Sequence, residues 1–186
     1  MRDSQLLTEV ESKVDERHAE IAVEKRLDHA SFRGACSRFT TGIAIVTLIG
    51  TDGLPYGLTV NSFTSVSLEP PLILVCVDNR SHVLQHFAMG CKFGVNVLSE
   101  QQRELSQMFT RYSADRFSRA EWLPGKSGVP LFAGTIATFE CTLTHATPGG
   151  DHMILIGGVE EVSYSEGNGL AYFSSSYRVL AAHTHK

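Results

Sequence analysis

The sequence predicts a mainly β chain, a closed or split antiparallel barrel with peripheral helices. Three observations point there. Short apolar, β-branched runs recur at 43–49, 72–77, 93–98 and 153–162, with turn residues between them. Sixteen glycines in 186 residues supply more turns than a helical bundle uses. Helical patterns are inserted among the strands without the strict strand–helix alternation of a doubly wound sheet.

Residues 1–27 stand apart from the rest. They are rich in Glu, Lys, Arg and Asp and contain no Gly or Pro. Leu6, Val10, Val14 and Ile21 recur at helical spacing, and Thr8 with Glu11 fits a capping box. The segment reads as an amphipathic helix packed on the domain or a partner, or else as a mobile arm. The domain proper is expected over 28–186.

Asp28 is placed to cap a second helix running through Phe32 and Cys36 to about Phe39. The strand at 43–49 turns at Thr51-Asp52-Gly53 and returns over 56–61. The run 72–77 reads as a fully buried strand. A short helix over 82–89, the strand 93–98 and a helix over 100–109 follow. Residues 113–130 are mostly polar and carry Pro124 and Gly125, which reads as a long surface loop. Strands at 135–144 and 153–162 pair through Pro148-Gly149-Gly150, and 170–173 is the last strand.

Composition excludes several function classes. The hydrophobic fraction of 42% supports a true core, and a charged fraction of 19% is too low for a disordered chain. A net charge of −4 and a pI near 6.0 argue against general nucleic-acid binding, which needs a basic face. The N-terminus leads into no apolar stretch, and no run approaches the ~20 residues of a membrane helix, so a cytoplasmic protein is expected. Cys36, Cys76, Cys91 and Cys141 form no CxxC pair and read as free thiols. Cys141, His145, Asp151 and His152 match no metal-ligand spacing, so no metal is expected. His183 and His185 fall at the extreme C-terminus, where disorder is expected.

Three segments carry the chemistry. Residues 57–71 pack six Ser, Thr and Asn side chains between apolar neighbours, a donor and acceptor set suited to a polar planar ring, or else an ordinary Ser/Thr-rich strand edge. Asp78-Asn79-Arg80-Ser81-His82 joins a strand to a predicted helix start, where Ser81, Arg80 and the first turn form a phosphate seat or a plain capped helix. Gly149-Gly150 lets backbone approach a ligand closely, with Asp151 and His152 heading the next strand. No GxSxG, HExxH, GxGxxG or P-loop is present, so a nicotinamide nucleotide would bind without a Rossmann domain.

Taken together, Phe39-Thr40-Thr41-Gly42-Ile43-Ala44-Ile45-Val46-Thr47, the 59–71 segment, Phe93-Gly94-Val95-Asn96-Val97-Leu98, Gly150-Asp151-His152, Tyr172-Phe173 and Tyr177-Arg178 resemble the short-chain flavin reductase family. The resemblance runs from about Phe32 to Arg178. It implies the FMN-binding split-barrel fold, binding of FMN or FAD, and hydride transfer from NADH or NADPH. It implies a homodimer and a role as reductase component of a two-component flavin-dependent monooxygenase.

By the same resemblance, Thr59, Val60, Asn61 and Ser62 line the isoalloxazine and ribityl chain, with Ser65 nearby. Cys76, Val77, Asp78, Ser81 and His82 meet the ribityl phosphate region. Phe109 and Thr110 close another side. His152 lies near the nicotinamide, bordered by Tyr177 and Arg178. The family often carries Arg-Gly just before the final Tyr, where this chain has Ser174-Ser175-Ser176. The rival readings are a structural or interaction protein, a non-enzymatic flavin- or haem-binding barrel, and an oxidase of the pyridoxine-phosphate type. The latter wants a basic cluster, and few Lys or Arg are expected near the pocket.

Overall fold

The structure, a computed structural model, describes residues 27–180. The helix or arm expected over 1–27 lies outside the described residues apart from Leu27, as do His183 and His185. The chain divides into two units, one ending at Cys36 and one beginning at Ser37. In the first, helix α1 (His29–Cys36) starts where Asp28 predicts. The Asp28 carboxylate accepts the backbone N–H groups of Ala30 at 3.2 Å and Ser31 at 3.0 Å, and the Ser31 hydroxyl at 3.0 Å. These donors have no partner inside a first helical turn. The helix stops at Cys36, short of the expected Phe39.

The second unit carries three antiparallel sheets. The largest has seven strands in the order β3 (Pro55–Val60), β2 (Ala44–Ile49), β6 (Lys92–Val97), β9 (Ala137–Gly149), β10 (His152–Tyr164), β5 (Pro71–Asp78) and β4 (Thr64–Leu68). A second joins β1 (Thr41–Gly42), β11 (Ala171–Phe173) and β12 (Ser176–Arg178). The third is a hairpin of β7 (Trp122–Pro124) and β8 (Pro130–Phe132). The fold is the mainly β, split-barrel arrangement that the sequence predicts.

Strand β2 shows why its run is almost wholly apolar. Ala44, Val46 and Leu48 join one core with Val75, Val77, Phe93 and Leu155. Ile45, and Ile43 just before the strand, join a second core with Leu98, Phe109, Phe117 and Phe132. A strand covered on both faces loses its polar alternation. Strand β5 is not the fully buried strand expected. Ile73, Val75 and Val77 are buried, whereas Leu72, Leu74 and Cys76 are half-buried on the opposite face.

The large sheet brings β3 beside β5, but no strand ladder joins them. Ser62, just past β3, spans the gap. Its hydroxyl accepts the Cys76 N–H at 2.9 Å and donates to the Cys76 carbonyl at 3.2 Å. One side chain replaces a ladder rung where the barrel is split.

Two expected segments differ. The helix over 82–89 is a single 3-10 turn, Leu84–His86. Its backbone bonds run Leu84 to Ser81, His86 to Val83 and Phe87 to Leu84, the tight i to i+3 pattern. That pitch carries Val83 and Phe87 into the barrel core. Residues 113–130 are not simply a surface loop: Arg116, Phe117, Val129 and Pro130 are buried. The hairpin is pinned by a buried polar network. The Asn96 amide donates to the Ile45 carbonyl at 3.1 Å and to Thr47 Oγ1 at 3.2 Å, and accepts the Phe132 N–H at 2.9 Å. Thr47 in turn donates to the Pro130 carbonyl at 2.6 Å.

Glu140 pins the tip of this hairpin. Its buried carboxylate accepts the N–H groups of Lys126 at 3.0 Å and Ser127 at 2.7 Å, and the Ser127 hydroxyl. Burial pushes its pKa up, but these bonds outweigh burial and hold the group below its ordinary value. A lowered folded pKa gives stability that is complete above the unfolded value, near pH 4.3, and is lost as pH falls through the folded one. Glu140→Gln is therefore expected to be less stable than wild type at pH 7, with the difference shrinking below about pH 4.3. Urea titrations across that range check it; a difference constant with pH would contradict it.

Two hairpin turns contain residues with positive φ. Gly150, with φ of 70°, and Asp151 form the two-residue loop between Gly149 and His152. Ser174 and Ser175, with φ of 51° and 58°, join β11 to β12. Two positive φ values define a turn that favours Asn-Gly, and a residue with a Cβ is strained there by roughly 1–2 kcal/mol. Ser175→Gly is expected to stabilise the protein by about 1 kcal/mol, raising Tm by about 2–4 °C in thermal denaturation. All four cysteines are free. Among the described residues no helix is long and apolar enough to cross a membrane.

Candidate functional site

A cleft of about 610 Å³ opens at the barrel rim, where β3 ends, β5 ends and β10 begins. Residues 109–112 and Arg116, beyond helix α2 (Arg103–Met108), form its remaining wall. The volume is that of a small-molecule site, about 300–1,000 Å³.

The first wall is residues 57–62. Thr59 is fixed from two directions: its N–H bonds the Phe109 carbonyl at 3.1 Å and its hydroxyl donates to the Ser106 carbonyl at 2.7 Å. Ser62 is committed to Cys76 as described. Asn61 lines the cleft, is exposed, and its amide has no hydrogen-bond partner among the described residues.

The second wall is the end of β5 and the turn after it. The Asp78 carboxylate holds the Arg80 guanidinium through Nη2 at 2.7 Å and Nε at 3.1 Å, and accepts the Arg80 N–H at 2.8 Å. The Arg80 side-chain bond is the main cause that keeps the Asp78 carboxyl well below the usual carboxylate range; His152 adds to it. Ser81 uses its hydroxyl to accept the Val83 N–H at 3.3 Å. The helix expected here is reduced to a single 3-10 turn, and Arg80 at the cleft edge is paired with Asp78.

His152 faces this wall because strand register pairs it with Asp78. Its Nδ1 lies 2.7 Å from the Asp151 carboxylate, a bond that holds the Asp151 carboxyl low. The ring is thereby fixed, and Nε2 is left for a ligand. On the last wall, the His82 and Tyr112 rings meet at 5.4 Å. Thr110 donates its hydroxyl to the Gln107 carbonyl at 2.7 Å, and the Phe109 ring is buried in the second core.

The cleft thus gathers Thr59, Val60, Asn61, Ser62, Cys76, Asp78, Ser81, His82, Phe109, Thr110 and His152. It does not include four others singled out from sequence. Val77 points from β5 into the barrel core, as strand alternation requires. Ser65 is exposed on the edge strand β4. Tyr177 packs against the second core, with its hydroxyl 3.0 Å from Ser106 Oγ, and Arg178 is exposed beyond it.

Sequence reasoning passed over Arg111, Tyr112 and Arg116. Arg80, Arg111 and Arg116 line the cleft against one carboxylate, Asp78. The expectation of few basic residues near the pocket therefore fails: an acidic chain has gathered a cationic cleft. A planar heteroaromatic ring with an anionic tail fits this donor set. The unpartnered Asn61 amide offers a hydrogen-bonding edge, and the arginines offer positive charge.

Comparison with known proteins agrees. The model of the flavin reductase like domain matches residues 36–181. A probable flavin reductase of Rhizobium meliloti is 41% identical over 150 residues, 81% of this chain and 48% of that protein. The reductase component of a flavin-dependent trigonelline monooxygenase from Acinetobacter baylyi is 41% identical over 145 residues, 78% of this chain and 47% of that one. The chain spans about half the length of these two relatives. An NADH:FAD oxidoreductase of Streptomyces globisporus, solved in complex with NAD and FAD fragments, superposes with a TM-score of 0.79 at 35% identity, covering 86% of this chain and 96% of that one. From its split barrel, its rim cleft and this match over most of its length, the chain belongs to the flavin reductase like domain family.

Proposed function

We propose that this protein is an NAD(P)H:flavin oxidoreductase that uses the rim cleft to hold FMN or FAD and a nicotinamide nucleotide together. The observation that carries this is the cleft itself, which is lined both by an unpartnered Asn61 amide and by a His152 ring bonded to Asp151 at the head of β10. The cofactors supply the redox chemistry, a hydride passing from nicotinamide C4 to flavin N5. The chain's own contribution is positioning. Residues 57–62 form a rigid wall, because Thr59 and Ser62 are tied to backbone on two sides. Asn61 would donate to the flavin ring edge, where negative charge develops on reduction. Asp151 orients His152, whose Nε2 would be free to bond the nicotinamide carboxamide.

His152→Ala is expected to raise KM for the nicotinamide nucleotide about tenfold, the worth of one hydrogen bond to a well-held ligand, with flavin affinity unchanged. Steady-state kinetics beside flavin fluorescence titration check this. Unaltered KM would remove His152 from the site.

The partner is proposed to be a flavin-dependent monooxygenase supplied by diffusing reduced flavin, as the name of the Acinetobacter baylyi relative suggests. Exposed Val66 and Leu68 on edge strand β4, with Val162 and Tyr164 late in β10, support a homodimer. Four free thiols support a cytoplasmic location.

A further inference from the structure

Helix α2 carries one wall of the cleft, because residues 109–112 follow directly from its C-terminal end. A helix of six residues has little stability of its own, so its neighbours must hold it in place. On the cleft side the neighbour is Thr59. Its hydroxyl donates to the Ser106 carbonyl at 2.7 Å and its N–H to the Phe109 carbonyl at 3.1 Å. Both carbonyls lie in the last turn, where the partners of a helix interior run out.

Away from the cleft the neighbour is Tyr177 on β12. Its hydroxyl lies 3.0 Å from Ser106 Oγ. Ser106 is 0% exposed, and a hydroxyl buried that deeply needs a partner. The Tyr177 ring also meets Arg103, whose guanidinium carbon is 5.4 Å from its centre. Arg103 and Ser106 are three residues apart and share one helix face. Ser106 is thus bonded twice, by Tyr177 at its side chain and by Thr59 at its carbonyl.

The tyrosine is itself fixed. It pairs with Tyr172 across the β11–β12 ladder, with ring centroids 5.4 Å apart, and it packs on the second core. The turn before it is tied down where the Ser174 N–H donates to the Ser37 carbonyl at 2.8 Å.

We propose that Tyr177 is a positioning residue of the reductase: through Ser106 it holds α2 against Thr59, and so sets the spacing between the 57–62 wall and the 109–112 wall. Tyr177 does not line the cleft and acts only through residues that do. The kinetic consequence rests on the reductase reading above. Two stacked rings need a cleft of fixed width. A bound flavin can draw a slack wall back into place, so the cost of slackness falls on binding and much less on turnover at saturation.

The test uses Tyr177→Phe, which keeps the ring and removes only the hydroxyl, and Ser106→Ala, which removes the other half of the bond. In each variant the flavin dissociation constant from fluorescence quenching and KM for flavin are expected to rise about fivefold, the worth of one hydrogen bond. The rate kcat at saturating flavin is expected to stay within about twofold, and the double variant to be no worse than either single one. In the protein without flavin, hydrogen exchange at the amides of Thr59, Phe109 and Thr110 is expected to quicken in Tyr177→Phe, while the β9–β10 ladder exchanges as in wild type. Unchanged exchange at those three amides overturns the proposal. Flavin constants equal to wild type also overturn it, even with a lower Tm or kcat, because that marks a tyrosine serving packing alone. Single-variant effects that add in the double variant overturn it too, since the two residues would then act separately. Quicker exchange and weaker flavin binding in a protein that oxidises neither NADH nor NADPH would keep the positioning role and reject the reductase.

Discussion

Phe109→Ala is expected to destabilise the protein by about 3–5 kcal/mol, the cost of emptying a large aromatic site in a packed core. The ring is 1% exposed and meets Phe117 and Phe132 with centroids 5.0 Å away in each case. It also packs on β3, where Gly57 makes room: a Cβ there would come within 3.3 Å of the ring and 3.0 Å of the Val46 carbonyl. Removing the ring takes the floor from under Arg116 and loosens the wall that Thr59 N–H grips at the Phe109 carbonyl. Flavin affinity is therefore expected to fall with stability. Urea denaturation and flavin fluorescence titration below the unfolding midpoint check both effects. A stable variant with unchanged affinity would show that the second core does not support the cleft.

Asn96→Leu is the other large effect. The two side chains are similar in size, so packing is nearly kept and the loss is polar. The substitution leaves the Phe132 N–H without its acceptor and removes the bond to the Ile45 carbonyl inside the core. An orphaned buried donor or acceptor costs about 1–3 kcal/mol, so about 2–4 kcal/mol is expected in total. Because Asn96 and Thr47 hold β8 to the barrel, the hairpin of β7 and β8 should become the first segment to open. Hydrogen exchange faster at residues 122–132 than elsewhere would show this. Uniform exchange across the domain would contradict it.

The parts of the fold that local pattern controls were legible in the sequence. The hairpin of β2 and β3 follows from a β-branched run, a Thr51-Asp52-Gly53 turn and a return strand, and it forms there. Asp28 caps α1 through its own side chain. The parts that failed depend on distant partners. Nothing local in 113–130 says that Asn96 and Thr47 will hold Pro130 and Phe132 from inside the barrel. The three-residue strands β7 and β8 are too short to show alternation, and each carries a proline. At 82–89 the helical pattern gave way because core burial of Val83 and Phe87 needed only one 3-10 turn.

The same division holds in the site. The segment 57–62 was legible as a candidate wall because it carries Thr, Asn and Ser side chains between apolar neighbours, and it lines the cleft. Which of them would be free was not legible. The hydroxyls of Thr59 and Ser62 are used to tie the wall together, leaving the Asn61 amide open. Val77 was included beside Cys76 and Asp78, although strand alternation turns it inward; the period of two could have excluded it. Arg116 sits in a polar stretch that reads as solvated surface. Only the folded wall, with Phe109 beneath and no acid beside it, distinguishes it from Arg119, which pairs with Asp115 in solvent.

The most direct test of the proposed activity is steady-state oxidation of NADH and NADPH by the purified protein, followed by absorbance, with FMN, FAD or riboflavin added. Turnover that requires flavin and saturates with its free concentration is the predicted result, and the preferred pair identifies both cofactors. No turnover with any pair, despite flavin binding seen by fluorescence quenching, would contradict the reductase and leave a flavin-binding barrel without that activity.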